Sequence, residues 1–394
     1  MLGILPLECP IRHYDWGSRS ALGRLLGRTP SGRPEAELWM GAHPQAPSVA
    51  RVGARRMALD RLIAEHPAET LGRAALDGHG ATLPFLFKVL GLGKPVSVQA
   101  HPTRARAVRG FEAEQRAGVP LGAPHRSYRD RGHKPEVMVA LEPMVVLSGI
   151  RPLQEIEAAL TAAGVGELAA LAAPAGREDA AGAIRRLLRA TLTLDGAAGA
   201  LLHRRLVDGA ARDTAEGALL AELAEHYPGD PTVIAALLLN LVELEPGEAL
   251  YTPPGRLHAF VSGAGIELMA NSDNVLRAGL TSKHVDANEL LAASNLKPAA
   301  PERIVPRPAS PAERVYPAPA EEFRLSVIDL EAGGRFAPQG PEILLLIGDG
   351  AHLRWPGGRL TLRRGDAVFV PASVAAYEAH GAGRLYRARA GAGV

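Results

Sequence analysis

The spacing of apolar positions changes period twice along this chain, and each change marks a different kind of structure. Residues 1–60 carry short apolar runs broken by Gly, Pro and charge, which predicts brief strands and loops. Within them Tyr14-Asp15-Trp16-Gly17 reads as a turn and Ser20 to Leu26 as one or two helical turns. Glu37 to Pro44 reads as an apolar strand with a polar end at His43, which suits a site or an ordinary hydrogen-bonded strand end equally well. Leu59, Leu62, Ile63 and Leu71 stand at near-helical spacing and predict a helix over Ala58 to Ala75. Leu83 to Leu90 predicts a buried strand, Arg104 to Gly118 an exposed charged helix, and Met138 to Ile150 a return to strand.

From Pro152 to about Tyr227 alanine dominates and β-branched residues thin out. Apolar residues fall at helical spacing, as in Leu153, Ile156 and Leu160. This predicts a helical insert with a structural role, because its few titratable side chains form no cluster. Pro228-Gly229-Asp230-Pro231 ends it, and Asp230 can cap a further helix with Pro231 in its first turn. Strand texture resumes at Asn240 to Leu244, and Asp286 to Asn295 reads as a short helix. Pro301 to Pro319 is proline-rich without periodicity and predicts an extended linker. Phe323 to Val394 is strand-rich.

Composition narrows the options. A length of 394 residues favours two or three domains. The formal net charge of +2 offers no single-sign field, so nucleic acid is not an expected partner. Cys9 is the only cysteine, so no disulfide forms within the chain, which suits a reducing, cytoplasmic setting. Met1 to Pro10 lacks the basic lead and apolar run of a signal peptide, and no stretch reaches the ~18 apolar residues of a membrane span.

The candidate chemistry centres on Gly247-Glu248-Ala249-Leu250-Tyr251-Thr252-Pro253-Pro254-Gly255-Arg256-Leu257-His258. Gly247 turns the chain into a strand, and Pro253 and Gly255 bend it sharply at the strand end. His258 is then presented from a stiff turn, in the spacing of the second cupin motif. Upstream, Gln99 and His101 are two apart and share a strand face, and Glu136 follows a rigid Pro135. Gln99, His101, Glu136 and His258 form a possible four-ligand set that suits zinc, with manganese and iron open on ligand type alone. Lys88 lies inside an apolar run, so it either snorkels to water or contacts an anion. Near the C-terminus Gly365 and Pro371 keep the spacing of Gly247 and Pro253, whereas Ser373 and Ala376 stand at the places of Gly255 and His258. This predicts a second, degenerate barrel without a metal ligand.

Together these stretches resemble the class I mannose-6-phosphate isomerases (phosphomannose isomerases) of the cupin superfamily. The resemblance rests on Tyr14 to Gly17, Glu37 to Gly41, Leu83 to Lys88, Ser97 to Pro102, His133 to Glu136, Asn240 to His258 and Asn271 to Thr281, in the family's order. Ser282 and His284 depart from the family's usual residues, in a loop. The resemblance implies a mainly β fold with an α insertion: a catalytic cupin jelly-roll barrel over 1–151 and 228–300, a helical insertion over 152–227, and a C-terminal jelly-roll barrel over 301–394. It implies one zinc ion per chain, held by Gln99, His101, Glu136 and His258. It implies interconversion of mannose 6-phosphate and fructose 6-phosphate, with Arg277, Glu267 and Lys134 as catalytic residues and Ser97 and Lys88 on the phosphate side. A monomer acting on a small sugar phosphate, without nucleic-acid or membrane partners, is the matching expectation. A cupin oxygenase and a non-catalytic sugar-binding cupin are the rivals. No Gly-rich nucleotide loop opens the chain, which disfavours nucleotidyl transfer.

Overall fold

The computed structural model describes residues 2–194 and 196–391, so the last residues of the strand-rich C-terminal segment lie outside the described residues. The described residues are mainly antiparallel β, organised as two eleven-stranded sheets, with helices from Leu153 to His226 against the first and helices from Leu59 to His79 against strands of the second. The central path of the first sheet runs Glu302–Ile304, Ala249–Thr252, Glu136–Ala140, His258–Ala270, Phe85–Leu92, Glu37–Met40 and Ile11–Arg12. The second runs Arg307–Pro308, Glu313–Tyr316, Phe323–Asp329, Tyr377–Ala390, Glu342–Trp355, Ala367–Val370, Leu5–Glu8, Val49–Val52 and Arg55–Ala58.

Strand residues alternate faces, and here both faces are buried. Phe85, Phe87, Val89, Val137, Val139, Ile266 and Leu268 of the first sheet share one core with Phe323, Leu325, Ile343, Leu345, Phe369 and Tyr386 of the second, so the sheets pack against each other. Phe85 and Phe87 are fully buried there, each contributing about 1.5–3 kcal/mol. The opposite face of each sheet encloses its own interior. Leu90, Leu92, Met138, Ala140, Leu250 and Phe260 line the first; Ile328, Leu344, Leu346, Val368, Val370 and Leu385 line the second. Burial on both sides explains why Leu83 to Leu90 reads as a continuous apolar run rather than an alternating one.

Between Leu153 and His226 the described residues form five helices. Asp179 and Thr214 cap two of them by accepting from the backbone N–H groups of Gly182 and Gly217. Their apolar faces join Val98, Leu147, Ile150, Leu239 and Leu276 in one continuous core, so the helices are seated on the strands that carry the site. Asp230 accepts from Thr232 N–H and caps a 3₁₀ turn over Pro231–Ile234. No described helix is long and apolar enough to cross a membrane.

Three expectations change. The helix expected over Ala58 to Ala75 is two, Leu59–Glu65 and Pro67–His79, because Pro67 cannot continue the first. Pro301 to Pro319 is not a bare linker: Glu302–Ile304 edges the first sheet, and Arg307–Pro308 and Glu313–Tyr316 edge the second, where proline is tolerated. The first 60 residues are shared, since Leu5–Glu8, Val49–Val52 and Arg55–Ala58 extend the second sheet while Glu37–Met40 belongs to the first.

Candidate metal centre

The predicted motif folds as a strand, Ala249–Thr252, a turn, and a long strand that His258 opens. Gly255 takes φ 87°, a conformation that favours glycine, and its N–H donates to the His101 carbonyl at 2.6 Å. The turn that presents His258 is thereby bonded to His101 as well. Gln99 lies on the short strand Val98–Ala100, opposite His258 on one side and Arg277 on the other. Glu136 opens its own strand, between Thr252 and Met269.

These elements bring Glu136 between the histidines: His101 Nε2 lies 3.2 Å from Oε1 and His258 Nε2 3.3 Å from Oε2. One ligand atom from each of the three residues falls within 4.8 Å of the others, and all three side chains are buried. Gln99 Nε2 stands 3.4 Å from His258 Nε2, and a half-turn of the amide would present its oxygen instead.

The donor set fits a cation. His101 Nδ1 pairs with the Asn274 carbonyl at 2.8 Å and His258 Nδ1 with the Arg256 carbonyl at 3.0 Å. Each ring therefore carries its proton on Nδ1 and turns a bare Nε2 inward. His101 Nε2 and both Glu136 oxygens are buried without an aligned hydrogen bond. Imidazole acceptors buried against a carboxylate are costly unless a cation sits between them.

The electrostatics agree. Burial, aided by the nearby charge of Lys134, pulls His101 down to about 4, so it is neutral at pH 7. Burial opposes charge on Glu136, but Lys134, at 2.7 Å, and the two histidines hold its carboxyl well below the usual range. A cavity of about 630 Å³ opens beside the centre, lined by Ser97, Gln99, Lys88, Lys134, Glu267 and Arg277 among others. Lys88 Nζ contacts Glu267 at 2.7 Å and Glu37 at 3.8 Å and lies 5.4 Å from the Trp39 ring centre, so its charge is balanced within the wall rather than snorkelling to water. Burial raises the Glu267 carboxyl, with Lys88 offsetting only part of the effect. Arg277 has no carboxylate ion pair among the described residues, and burial lowers its affinity for its proton.

Sequence reasoning passed over several residues here. Lys283 lines the same cavity and lies 5.7 Å from the Tyr14 ring centre; its only signal was a charge in a short polar loop after Arg277. Asn274, fully buried, orients His101 through its carbonyl, and its side chain donates to the Asp130 and Gly132 carbonyls. His43, left open by the sequence as a site residue or a hydrogen-bonded strand end, pairs with Asp273 at 3.3 Å.

A buried two-histidine, one-carboxylate centre inside an antiparallel β enclosure, beside a cavity lined by lysine and arginine side chains, defines a metal-dependent enzyme of the cupin type. Residues 4–153 match the model of the phosphomannose isomerase type I catalytic domain. The chain is 35% identical over 384 residues to the mannose-6-phosphate isomerase of Escherichia coli (strain K12), covering 96% of this chain and 97% of that one. It is 33% identical over 423 residues to mannose-6-phosphate isomerase 2 of Arabidopsis thaliana, covering 97% and 92%. A zinc-bound crystal structure of mannose 6-phosphate isomerase superposes with a TM-score of 0.91 at 33% identity, covering 99% of this chain and 100% of that chain. The chain belongs to the type I phosphomannose isomerases.

Proposed function

We propose that the chain is a zinc-dependent aldose–ketose isomerase that interconverts mannose 6-phosphate and fructose 6-phosphate through an enediol(ate). One observation carries this reading: three buried acceptors, His101 Nε2, Glu136 and His258 Nε2, converge beside a cavity large enough for a sugar phosphate. Gln99 completes the set of four. Bound there, zinc would polarise the sugar oxygens.

The remaining work falls to the chain's own side chains. Moving the carbonyl between C1 and C2 requires a base for a carbon-bound proton. Glu267 suits that role, because burial raises its carboxyl toward the range of an effective base. Lys134, held by Glu136, is the second candidate and a donor to the sugar oxygens. Arg277, free of a carboxylate among the described residues, can offset negative charge on the enediolate. Ser97 and Lys88 both line the cavity and are assigned to the phosphate side, with Lys88 also orienting Glu267. The substrate partner is a small sugar phosphate, and the reading places a monomer in the cytoplasm.

A cupin oxygenase would have little use for Lys88, Lys134, Arg277 and Lys283 around one cavity, and a non-catalytic cupin would not need an intact acceptor set. The test is a coupled assay of mannose 6-phosphate conversion on the zinc-loaded protein, with and without a chelator. Turnover should vanish with the metal and return with added zinc. Conversion that persists in a verified metal-free protein overturns the proposal.

A further inference from the structure

We infer that Glu322, contributed by the second sheet's part of the chain, is a positioning residue that sets the spacing of two metal ligands in the first. The inference rests on the zinc reading above. Glu322 precedes the strand Phe323–Asp329 and is buried at 6% exposure. Its carbonyl accepts from Gly391 N–H at 3.0 Å, which ties it to the end of the long strand Tyr377–Ala390. Its Oε1 reaches across to the first sheet's side of the molecule. There it lies 2.6 Å from His133 Nε2 and 2.5 Å from an Arg104 guanidinium nitrogen. The His133 and Arg104 nitrogens are themselves 2.9 Å apart.

The positions of those two partners give the contact its meaning. Arg104 is three residues after the ligand His101, and Pro102 makes the connection stiff. His133 is three residues before the ligand Glu136, and Pro135 stiffens that connection as well. One carboxylate oxygen therefore brackets the two segments whose ligand atoms, His101 Nε2 and Glu136 Oε1, must meet at 3.2 Å. His101 follows the strand Val98–Ala100 and Glu136 opens another; no register pairs the two directly, and the backbone links them only through the turn that holds Gly255. Burial opposes a charge on the Glu322 carboxyl, yet His133 and Arg104 hold it below its ordinary range, so it faces them ionised. Glu322 touches no cavity-lining ligand atom. Its effect runs through the ligands it spaces, as outer partners of metal ligands do. The second sheet is thereby coupled to the metal centre of the first.

The experiment measures zinc affinity by competition with a chelating indicator on the full chain, for the parent, Glu322→Gln and Glu322→Ala. The visible spectrum of the cobalt-substituted proteins and the melting temperature of the metal-free forms are read in parallel. Glu322→Ala should weaken zinc binding by about 10-fold or more and shift the cobalt bands. Glu322→Gln, which keeps an acceptor for Arg104, should recover part of the affinity. If Glu322→Ala does not fold, Arg104→Met removes half of the bracket from its exposed end and should still weaken zinc binding severalfold. Parent-like zinc affinity and cobalt bands in folded Glu322→Ala, or in Arg104→Met, overturn the inference. A parent that fails to bind zinc overturns the zinc reading instead.

Discussion

In the first sheet Glu136 stands between Thr252 and Met269; in the second, Glu342 stands between Val370 and Arg389, in the same order of strands. Following the registers outward pairs each site residue with a counterpart. Glu267 and Lys88 face each other as Arg387 and Ser326 do. Trp39 opposite Lys88 matches Val315 opposite Ser326, which sets Glu37 against Glu313. His258 opposite Gln99 matches Tyr377 opposite Phe336. Sequence spacing put Ala376 at the place of His258. Contact puts Tyr377 there: it meets Glu342 at 3.0 Å as His258 meets Glu136 at 3.3 Å, and the turn after Pro371 is one residue longer than the turn after Pro253.

The framework carboxylates are kept and the filling is inverted. Arg387 donates to both Glu342 oxygens and to Glu313, and Tyr377 donates to Glu342 at 3.0 Å. Burial opposes the charge on Arg387, and the two carboxylates outweigh it. Glu136, at the matching position, has one oxygen 2.7 Å from Lys134 Nζ and faces two imidazole nitrogens. A buried carboxylate in such an enclosure is therefore not in itself a metal site. What distinguishes this one is a pair of imidazole acceptors set against the carboxylate. The second sheet closes its carboxylate with arginine and tyrosine donors; the first turns two histidines toward its own.

This contrast can be broken at either end. The largest effect is expected for His258→Ala, which should lose bound metal and roughly four orders of magnitude in turnover, about 5.5 kcal/mol of barrier; metal analysis and the coupled assay report it, and an active variant without metal would contradict a metal-dependent centre. Arg387→Met leaves Glu342 and Glu313 buried without their cation and should cost about 3–5 kcal/mol in chemical denaturation, with unchanged metal per folded chain. A loss of metal there would mean that the sheets are not divided as described. Arg277→Ala should keep its metal yet slow turnover by about 10²–10³-fold, the scale of one lost oxyanion donor; unchanged turnover removes Arg277 from the mechanism.

A smaller effect separates the sheets by pH. In the folded chain His101 sits at about 4, below the ordinary value of about 6.5, so the unfolded chain protonates first as pH falls. Its contribution is complete above about pH 6.5 and is lost progressively toward pH 4, by up to about 3 kcal/mol. Arg387 has no titration in that window. The metal-free parent should lose stability over it more steeply than His101→Gln, as followed by thermal unfolding. Parallel profiles would contradict a buried, neutral His101.

Much of this was legible in the residues. The Pro253 to His258 turn, the two-residue step from Gln99 to His101 and the Pro135-Glu136 pair are local patterns whose stereochemistry carries over to the fold. The helices from Leu153 to His226 announced themselves by spacing alone. The edge strands inside Pro301 to Pro319 did not, because a two- to four-residue strand on a sheet edge needs no periodicity of its own. Nor did the Lys88–Glu267 pair, whose partners are 179 positions apart and meet only across a strand register.

The sequence by itself determined the class of fold, the candidate ligand residues and the turns that present them, since each depends on chemistry within a few neighbours. Only the tertiary structure decided which carboxylate faces imidazoles and which is closed by arginine, that Tyr377 meets Glu342 as His258 meets Glu136, and that Glu322 reaches from one sheet to the other. Those outcomes depend on strand register and on donors brought from far along the chain, and no local pattern of residues encodes either.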